Sequence, residues 1–537
     1  VPMGRERRLR PALLAVMLSA GAAQVAAQGG PVEAATGDPH RLAAQDVGRP
    51  LSAIPWLSET LDRPDTPQVR PPIATPEVPP ASAAPAPDGI TVTPLGGPDR
   101  AATGLLPPDR AGLPADLWQG SAPATLADTL RAMPLHRHPA LADAFARLVL
   151  VEAAPPRGAG DALLLARVDA LLLRGALEPA RALLERAGPD TADLFRRWFD
   201  ILLLEGTEDR ACATLAARPE LSPNYETRVF CLARGGRWHT AALTLETATA
   251  LGRVTPEMRD LLARFLDPDL FEGEPLPDLP DPVTPLRFRL LEAVGEPVPT
   301  LHLPLAFAQT DLRHIIGWKS RIEAAERLAQ AGALAPNRLL GIYTARPPAA
   351  SGGVWDRVTA IQALDIALVS GQPDAVATRL PAAHDAMRDA GLEAVFAQLF
   401  GARLVRLALP PRSAANAQAL ALIAGEPVPA RTEGLDPRLA FAAALARNEP
   451  PTVAAPDALA SALRAGLAAD LLPDRHAPLV ARKRLGEALL AALDTLAAGR
   501  SADPENAGDA VALLAHAGLD DLARQAAVQI LLMEPAP

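Results

Sequence analysis

The chain has 537 residues, 49% of them apolar and 4% aromatic, and a formal charge of −10 at neutral pH. That apolar share can fill several domains or one long repeat array, and it excludes a chain that is disordered throughout. The basic residues are scattered arginines with only two lysines, Lys319 and Lys483, so no footprint for a phosphate backbone is visible and nucleic acid is not an expected partner. Alanine, leucine and arginine dominate while strand-favouring aromatics are scarce, which predicts an all-α fold.

Residues 1–27 carry a basic head around Arg5, Arg7 and Arg8, an apolar run from about Pro11 to Ala23, and the small residues Val25-Ala26-Ala27. This is the layout of a secretory signal peptide cleaved after Ala27, with a run too short to span a bilayer. Val1 is an unusual initiator, and a start at Met3 or at a non-standard codon leaves the reading unchanged. The residues around Arg7-Arg8 do not complete a twin-arginine motif and no cysteine follows the run, so unfolded export without a lipid anchor is expected. No later segment reads as a membrane span. The expectation is a periplasmic or otherwise exported protein, soluble after cleavage.

From residue 28 to about 115, proline recurs every few residues, as in "RPPIATPEVPPASAAPAPDG", with almost no apolar periodicity. Such a segment buries too little surface to offset its ordering entropy and is expected to be a disordered tether. One island, "SAIPWLSETL", places Ile54, Trp56, Leu57 and Leu61 in it, either as a short docking motif or as a stray apolar cluster.

Helical signals take over from Asp116, and residues 116–265 hold a repeated pattern. In "VDALLLRGALEPARALLERAG", Val168, Leu171, Ala180 and Leu184 stand at −7, −4, +5 and +9 from Gly175. The same offsets give Phe199, Leu202, Ala211 and Leu215 around Gly206, and Val229, Leu232, Ala241 and Leu245 around Gly236. Gly518 is flanked by Val511, Leu514, Ala523 and Ala527, and a weaker copy surrounds Gly371 with Leu364, Ala367, Val376 and Leu380. The glycine ends one helix in a conformation other residues resist, and the small alanine lets the returning helix come close. A pair of about thirty residues has too little core to fold alone, so neighbouring pairs are expected to stack.

Gly175, Ala180, Leu184 and Ala187 resemble the positions at which tetratricopeptide-type repeats carry a small residue ending helix A, an alanine early in helix B and a large apolar residue one turn later. The usual helix-A aromatic is here Leu171 or Leu202, and the closing proline is displaced or absent. The resemblance covers residues 161–252 well, 509–532 fairly and the middle poorly; it implies a divergent α-solenoid of antiparallel hairpins. Two proline-rich stretches, 266–285 and 425–437, read as joints that set off a middle helical region, 286–424, and a C-terminal one, 438–537.

Cys212 and Cys231 are the two cysteines of the chain, on adjacent expected helices. In an oxidising compartment a disulfide fits this spacing, and so do two buried thiols. The middle region holds Trp318, Asn337, Tyr343, Arg346, Trp355 and Arg357 around a glycine-containing loop, 346–353, that feeds a helix. With no strand before it and no phosphate signature after it, the loop reads as a turn with Trp355 packed into the core rather than as an anion site assisted by Arg346 or Arg357, and loops of this composition on a helical scaffold suit recognition. Lys319, Glu323 and Arg327, four residues apart with Glu326 beside them, read as a solvated helix face. His136 and His138 lack a third ligand at useful spacing and read as surface histidines, and "GAGD" at 158–161 lacks the rest of a dinucleotide loop. No catalytic or metal motif and no cofactor signature is found. The leading expectation is therefore a non-enzymatic exported scaffold that binds envelope proteins. The alternatives are a peptidoglycan-active lytic enzyme or its accessory, and a periplasmic solute-binding protein.

Overall fold

Proline opens the helices of this chain more often than it breaks them. The computed structural model describes residues 100–134, 137–222, 224–275, 282–428 and 435–533, and among them every regular element is helical apart from one isolated bridge between Leu106 and Val151. Three helices lead, α1 (Pro108–Ala111), α2 (Pro123–Ala132) and α3 (Pro139–Leu150). Three hairpins follow: α4 (Ala162–Leu173) with α5 (Leu177–Ala187), α6 (Ala192–Glu205) with α7 (Asp209–Ala217), and α8 (Tyr225–Arg234) with α9 (Trp238–Ala250). After α10 (Pro256–Leu266) and α11 (Pro285–Ala293) come the middle helices α12 (Trp318–Gln330), α13 (Pro336–Tyr343), α14 (Val354–Ser370), α15 (Pro373–Asp389), α16 (Glu393–Leu404) and α17 (Pro411–Ile423). The C-terminal helices are α18 (Pro437–Ala446), α19 (Ala458–Leu467), α20 (Ala477–Ala481), α21 (Leu485–Ala497), α22 (Pro504–His516) and α23 (Asp520–Leu532). Proline is the first residue of α1, α2, α3, α10, α11, α13, α15, α17, α18 and α22, where its missing N–H has no intrahelical partner to lose and its fixed φ already suits a helix.

All five glycine-centred units form helical hairpins. Gly175, Gly206, Gly236, Gly371 and Gly518 all have φ between 66° and 85°, the left-handed region where a side chain is strained. Ala180, Ala211, Ala241 and Ala523 are fully buried five residues later, each facing the preceding helix with no more than a methyl group. Cys212 on α7 and Cys231 on α8 form a disulfide with Cα atoms 5.0 Å apart, which ties the second hairpin to the third.

Residues 100–115, expected in the tether, are packed instead. Ala111 and Leu113 are buried, Leu105 and Leu106 donate their N–H groups to the carbonyl of Leu150, and Arg100 pairs with Asp161 and Asp190. Their prolines hid a segment that finds hydrogen-bond partners at the end of α3 as well as in its own short turns. The glycines of "GAGD" only turn the chain: Gly158 and Gly160 have positive φ and Asp161 serves the Arg100 pair.

The expected joints do not separate the C-terminal helices from the N-terminal ones. One apolar core runs from Ala111 through Phe307 and resumes at Ala421 through Leu531, because α21 and α23 pack on α2 and α3. A second core is built by the middle helices, from Ala308 to Ile423. At the closure, the turn at Gly112 touches the turn at Gly518, each so close that an added Cβ would stand 3.3 Å from the other's carbonyl oxygen. Gly486 lies under the Trp118 ring, where a Cβ would come within 2.1 Å, and Gly120 donates its N–H to the carbonyl of Lys483 at 3.0 Å. Gln529, only 2% exposed, accepts from the N–H of Ala140 on α3 at 3.0 Å and donates to the carbonyl of Ile423 on α17 at 2.9 Å. One buried amide thus joins the N-terminal, middle and C-terminal regions.

Candidate functional site

The six middle-region residues with recognition chemistry are largely used inside the fold. Tyr343 is fully buried, and its hydroxyl donates to Glu326 Oε1 at 2.8 Å. Burial and the charge and hydrogen bond of Glu326 push its phenol well above the usual range. Arg357 grips the same carboxylate with two nitrogens, Nε to Oε1 at 2.8 Å and Nη2 to Oε2. Burial works against the Arg357 charge, but these hydrogen bonds outweigh it and hold the guanidinium protonated. Trp318 is 7% exposed, donates Nε1–H to the carbonyl of Ile342 at 2.9 Å and meets the half-buried Trp355 ring at 5.1 Å. Only Arg346, whose guanidinium lies 5.4 Å above Trp318, and Asn337 remain exposed. The expected recognition surface is therefore corrected to an interior network that clamps α12, α13 and α14, because a buried indole, phenol and carboxylate must find partners within the protein.

Two further expectations change. Lys319 and Glu323 do pair on an outer face, but Arg327 turns inward and donates to the carbonyls of Thr300 and Leu303 at 2.9 and 3.0 Å. His138, expected at the surface, is 8% exposed at the start of α3, whereas His136 lies outside the described residues, as do Ile54, Trp56, Leu57 and Leu61. Among the described residues no group of three or more histidine, cysteine or carboxylate side chains could hold a metal ion.

Helix α4 and the residue that caps its C-terminus carry two arginines whose importance the composition conceals. Arg167 is fully buried and has no carboxylate beside it; its three nitrogens donate to the carbonyls of Val149, Thr103 and Val151 at 2.5, 2.6 and 2.9 Å. The Val149 and Val151 carbonyls lie at and just beyond the end of α3, where the guanidinium supplies hydrogen bonds and positive charge that a helix terminus lacks, and the Thr103 carbonyl ties the N-terminal segment to the same group. Arg174, one heptad on, bonds the carbonyls of Ala170, Met133 and Pro134 and lies 3.7 Å over the face of Phe145. Burial lowers both arginines to about 10, which still leaves them charged at neutral pH. A sequence signal was present, since an arginine stands on each side of "VDALLL" along one face of an otherwise apolar helix.

Arg174 and Phe145 form one wall of a slot of about 270 Å³ at the junction of the N-terminal hairpins with the middle helices. Ala142 and Ala146 of α3, the α12–α13 turn at Gly332 to Leu334, and Ala394 and Val395 of α16 give it apolar surface, and Arg137, Asp143, Gln330 and Gln398 add polar groups. Gly175 sets this junction. A Cβ there would meet Leu328 at 2.6 Å and Leu305 at 3.1 Å, and its carbonyl accepts from Gln309 at 2.7 Å. Next to the slot a more polar trough of about 440 Å³ runs past Glu178, Arg181, Glu205, Arg313 and Arg338. Arg181 pairs there with Glu205 at 2.9 Å and Glu185 at 3.3 Å. The arrangement is a socket of mixed lining, apolar on its Phe145, alanine and Val395 faces, beside a charged shoulder.

Compared with known proteins, the chain matches no family model, no curated protein and no solved structure.

Proposed function

We propose that this protein is an exported, non-enzymatic helical-repeat scaffold of tetratricopeptide-like type that binds protein partners in the cell envelope, seating an apolar side chain of the partner in the junction slot. The observation that carries the reading is the size and lining of that slot. At about 270 Å³ it falls below the roughly 300–1,000 Å³ usual for small-molecule sites, and suits one or two anchoring side chains. The Arg174–Phe145 wall is immobilised by the carbonyl bonds of the guanidinium, so a partner would meet a preformed socket. The stacked hairpins supply the rigid scaffold, and the Cys212–Cys231 bond accords with an oxidising compartment. Among the described residues no helix is long and apolar enough to cross a membrane.

The test is capture from envelope extracts with the full chain and with Ala146→Trp, which fills the slot, after circular dichroism shows the variant folded. The reading expects a reproducible partner that the wild type retains and Ala146→Trp loses. Equal capture by both, or none by either, rejects it. Release of muropeptides from peptidoglycan by the purified chain would replace it with the lytic alternative.

A further inference from the structure

A second cavity, of about 550 Å³, lies between α15 and the first turn of α17, away from the junction slot. Its volume is within the range of small-molecule sites. One wall is the α15 face of Ala377, Pro381, His384, Asp385 and Arg388, and the other is Arg412, Ser413 and Asn416.

The polar groups of this cavity are held in place from behind. Glu393, 8% exposed at the start of α16, stands 3.2 Å from His384 Nε2, and His384 Nδ1 stands 3.2 Å from Asn416 Nδ2. An amide nitrogen can only donate, so Nδ1 accepts from Asn416 and the ring proton sits on Nε2, aimed at Glu393. The imidazole is also stacked on Phe396, with centroids 5.5 Å apart. This chain fixes the Asn416 amide with its nitrogen inward, and leaves its oxygen as an acceptor for the cavity. A second acceptor comes from the backbone: Pro381, inside α15, has no N–H to give the carbonyl of Ala377 one turn earlier.

Donors stand opposite. Arg388 is balanced by Asp385 at 2.8 Å, whereas Arg412 is exposed and no ion pair or hydrogen bond of its side chain occurs among the described residues. Ser413 adds a hydroxyl. The three charged side chains that line the walls, Arg388, Arg412 and Asp385, sum to one positive charge, while the buried Glu393 carboxylate stands behind His384 and outside the lining. A wall with one uncompensated guanidinium and two fixed acceptors matches a small anion that also carries a donor.

We propose that this cavity binds a small carboxylate solute bearing a hydroxyl or ammonium group, its carboxylate on Arg412 and Ser413 and its donor on Asn416 Oδ1 and the Ala377 carbonyl. The site is independent of the scaffold reading and survives its failure. The test is isothermal titration of the full chain with sodium lactate, L-glutamate, acetate and inorganic phosphate at constant ionic strength. Saturable binding of lactate or glutamate, at least fivefold tighter than acetate or phosphate, is expected. Arg412→Ala, an exposed substitution that leaves the fold intact, is expected to weaken it at least tenfold, and Asn416→Leu to abolish the preference over acetate. Ser413→Ala, at a half-buried position, serves as a second probe with a smaller loss. No saturable binding of lactate or glutamate up to 20 mM, binding unchanged by Arg412→Ala, or phosphate bound as tightly as either, overturns the proposal.

Discussion

His138 predicts a stability that depends on pH. Its ring is 8% exposed at the start of α3, its Nδ1 has no hydrogen-bond partner, and its Cε1 faces Gly499, where an added Cβ would stand 3.1 Å away. Burial, and then the charge of Arg137, lower its pKa from 6.5 to about 4. The positive end of α3 acts in the same direction. A histidine depressed in the folded state binds its proton more weakly there than in the unfolded chain. Its contribution is therefore fully present above pH 6.5 and is lost as pH falls from 6.5 toward 4. With these two values, linkage gives a loss of about 2 kcal/mol between pH 7.5 and pH 5, and of about 3 kcal/mol by pH 4. His138→Gln keeps a neutral polar side chain and removes the titration. Urea unfolding of wild type and variant, followed by circular dichroism at pH 7.5 and pH 5, isolates the histidine as the difference between the two proteins, since all other titrating groups are shared. The wild type should lose about 2 kcal/mol more than the variant on acidification. Parallel losses within about 0.5 kcal/mol, or a His138 ring titrating near 6.5 by NMR, would refute the assignment.

Other expectations concern the closure and the hairpins. Gln529→Leu leaves the Ala140 N–H buried without a partner and removes one of the two amide donors on the Ile423 carbonyl, which keeps Gln525 Nε2 at 3.0 Å; it should cost about 1–3 kcal/mol, read as a fall in the urea midpoint, and a change under about 0.5 kcal/mol would mean that the three regions are not joined there. Gly206→Ala adds only left-handed strain, about 1 kcal/mol, because no atom lies within 4 Å of the added Cβ. Gly175→Ala adds the same strain and also presses on Leu328 and Leu305, so it should cost about 1–3 kcal/mol more; equal melting temperatures for the two variants would contradict the close junction. Cys212→Ser with Cys231→Ser opens a loop of sequence separation 19 and should cost about 3 kcal/mol, measured against the oxidised wild type, with an unchanged midpoint counting against the disulfide as a stabilising staple.

Much of the local structure was legible in the sequence because it is decided by neighbours along the chain. A left-handed glycine with apolar residues at −7 and −4 marks each helical hairpin, with an alanine five positions on in four units and Val376 in the Gly371 unit. Gly175, Gly206, Gly236, Gly371 and Gly518 all mark such turns. Composition likewise settled the helical class. The candidate site was much less legible. Tryptophan, tyrosine and arginine gathered in one region have the composition of a recognition loop, yet the same residue types also build a buried clamp, and only the position of Glu326 between Tyr343 and Arg357 distinguishes the two.

Tertiary structure alone decided how the hairpins are used. That α21 and α23 return to α2 and α3, that Gln529 reaches both Ala140 and Ile423, and that Arg174 lies on Phe145 beside an open slot are facts about residues up to 389 positions apart. Apolar periodicity tells a helix which face to bury but does not name its partner, because the hydrophobic effect has no direction and any apolar face of matching shape would serve. The partners here are chosen by steric fit at Gly112, Gly486 and Gly175 and by the few buried polar groups that must meet a counterpart across the closure.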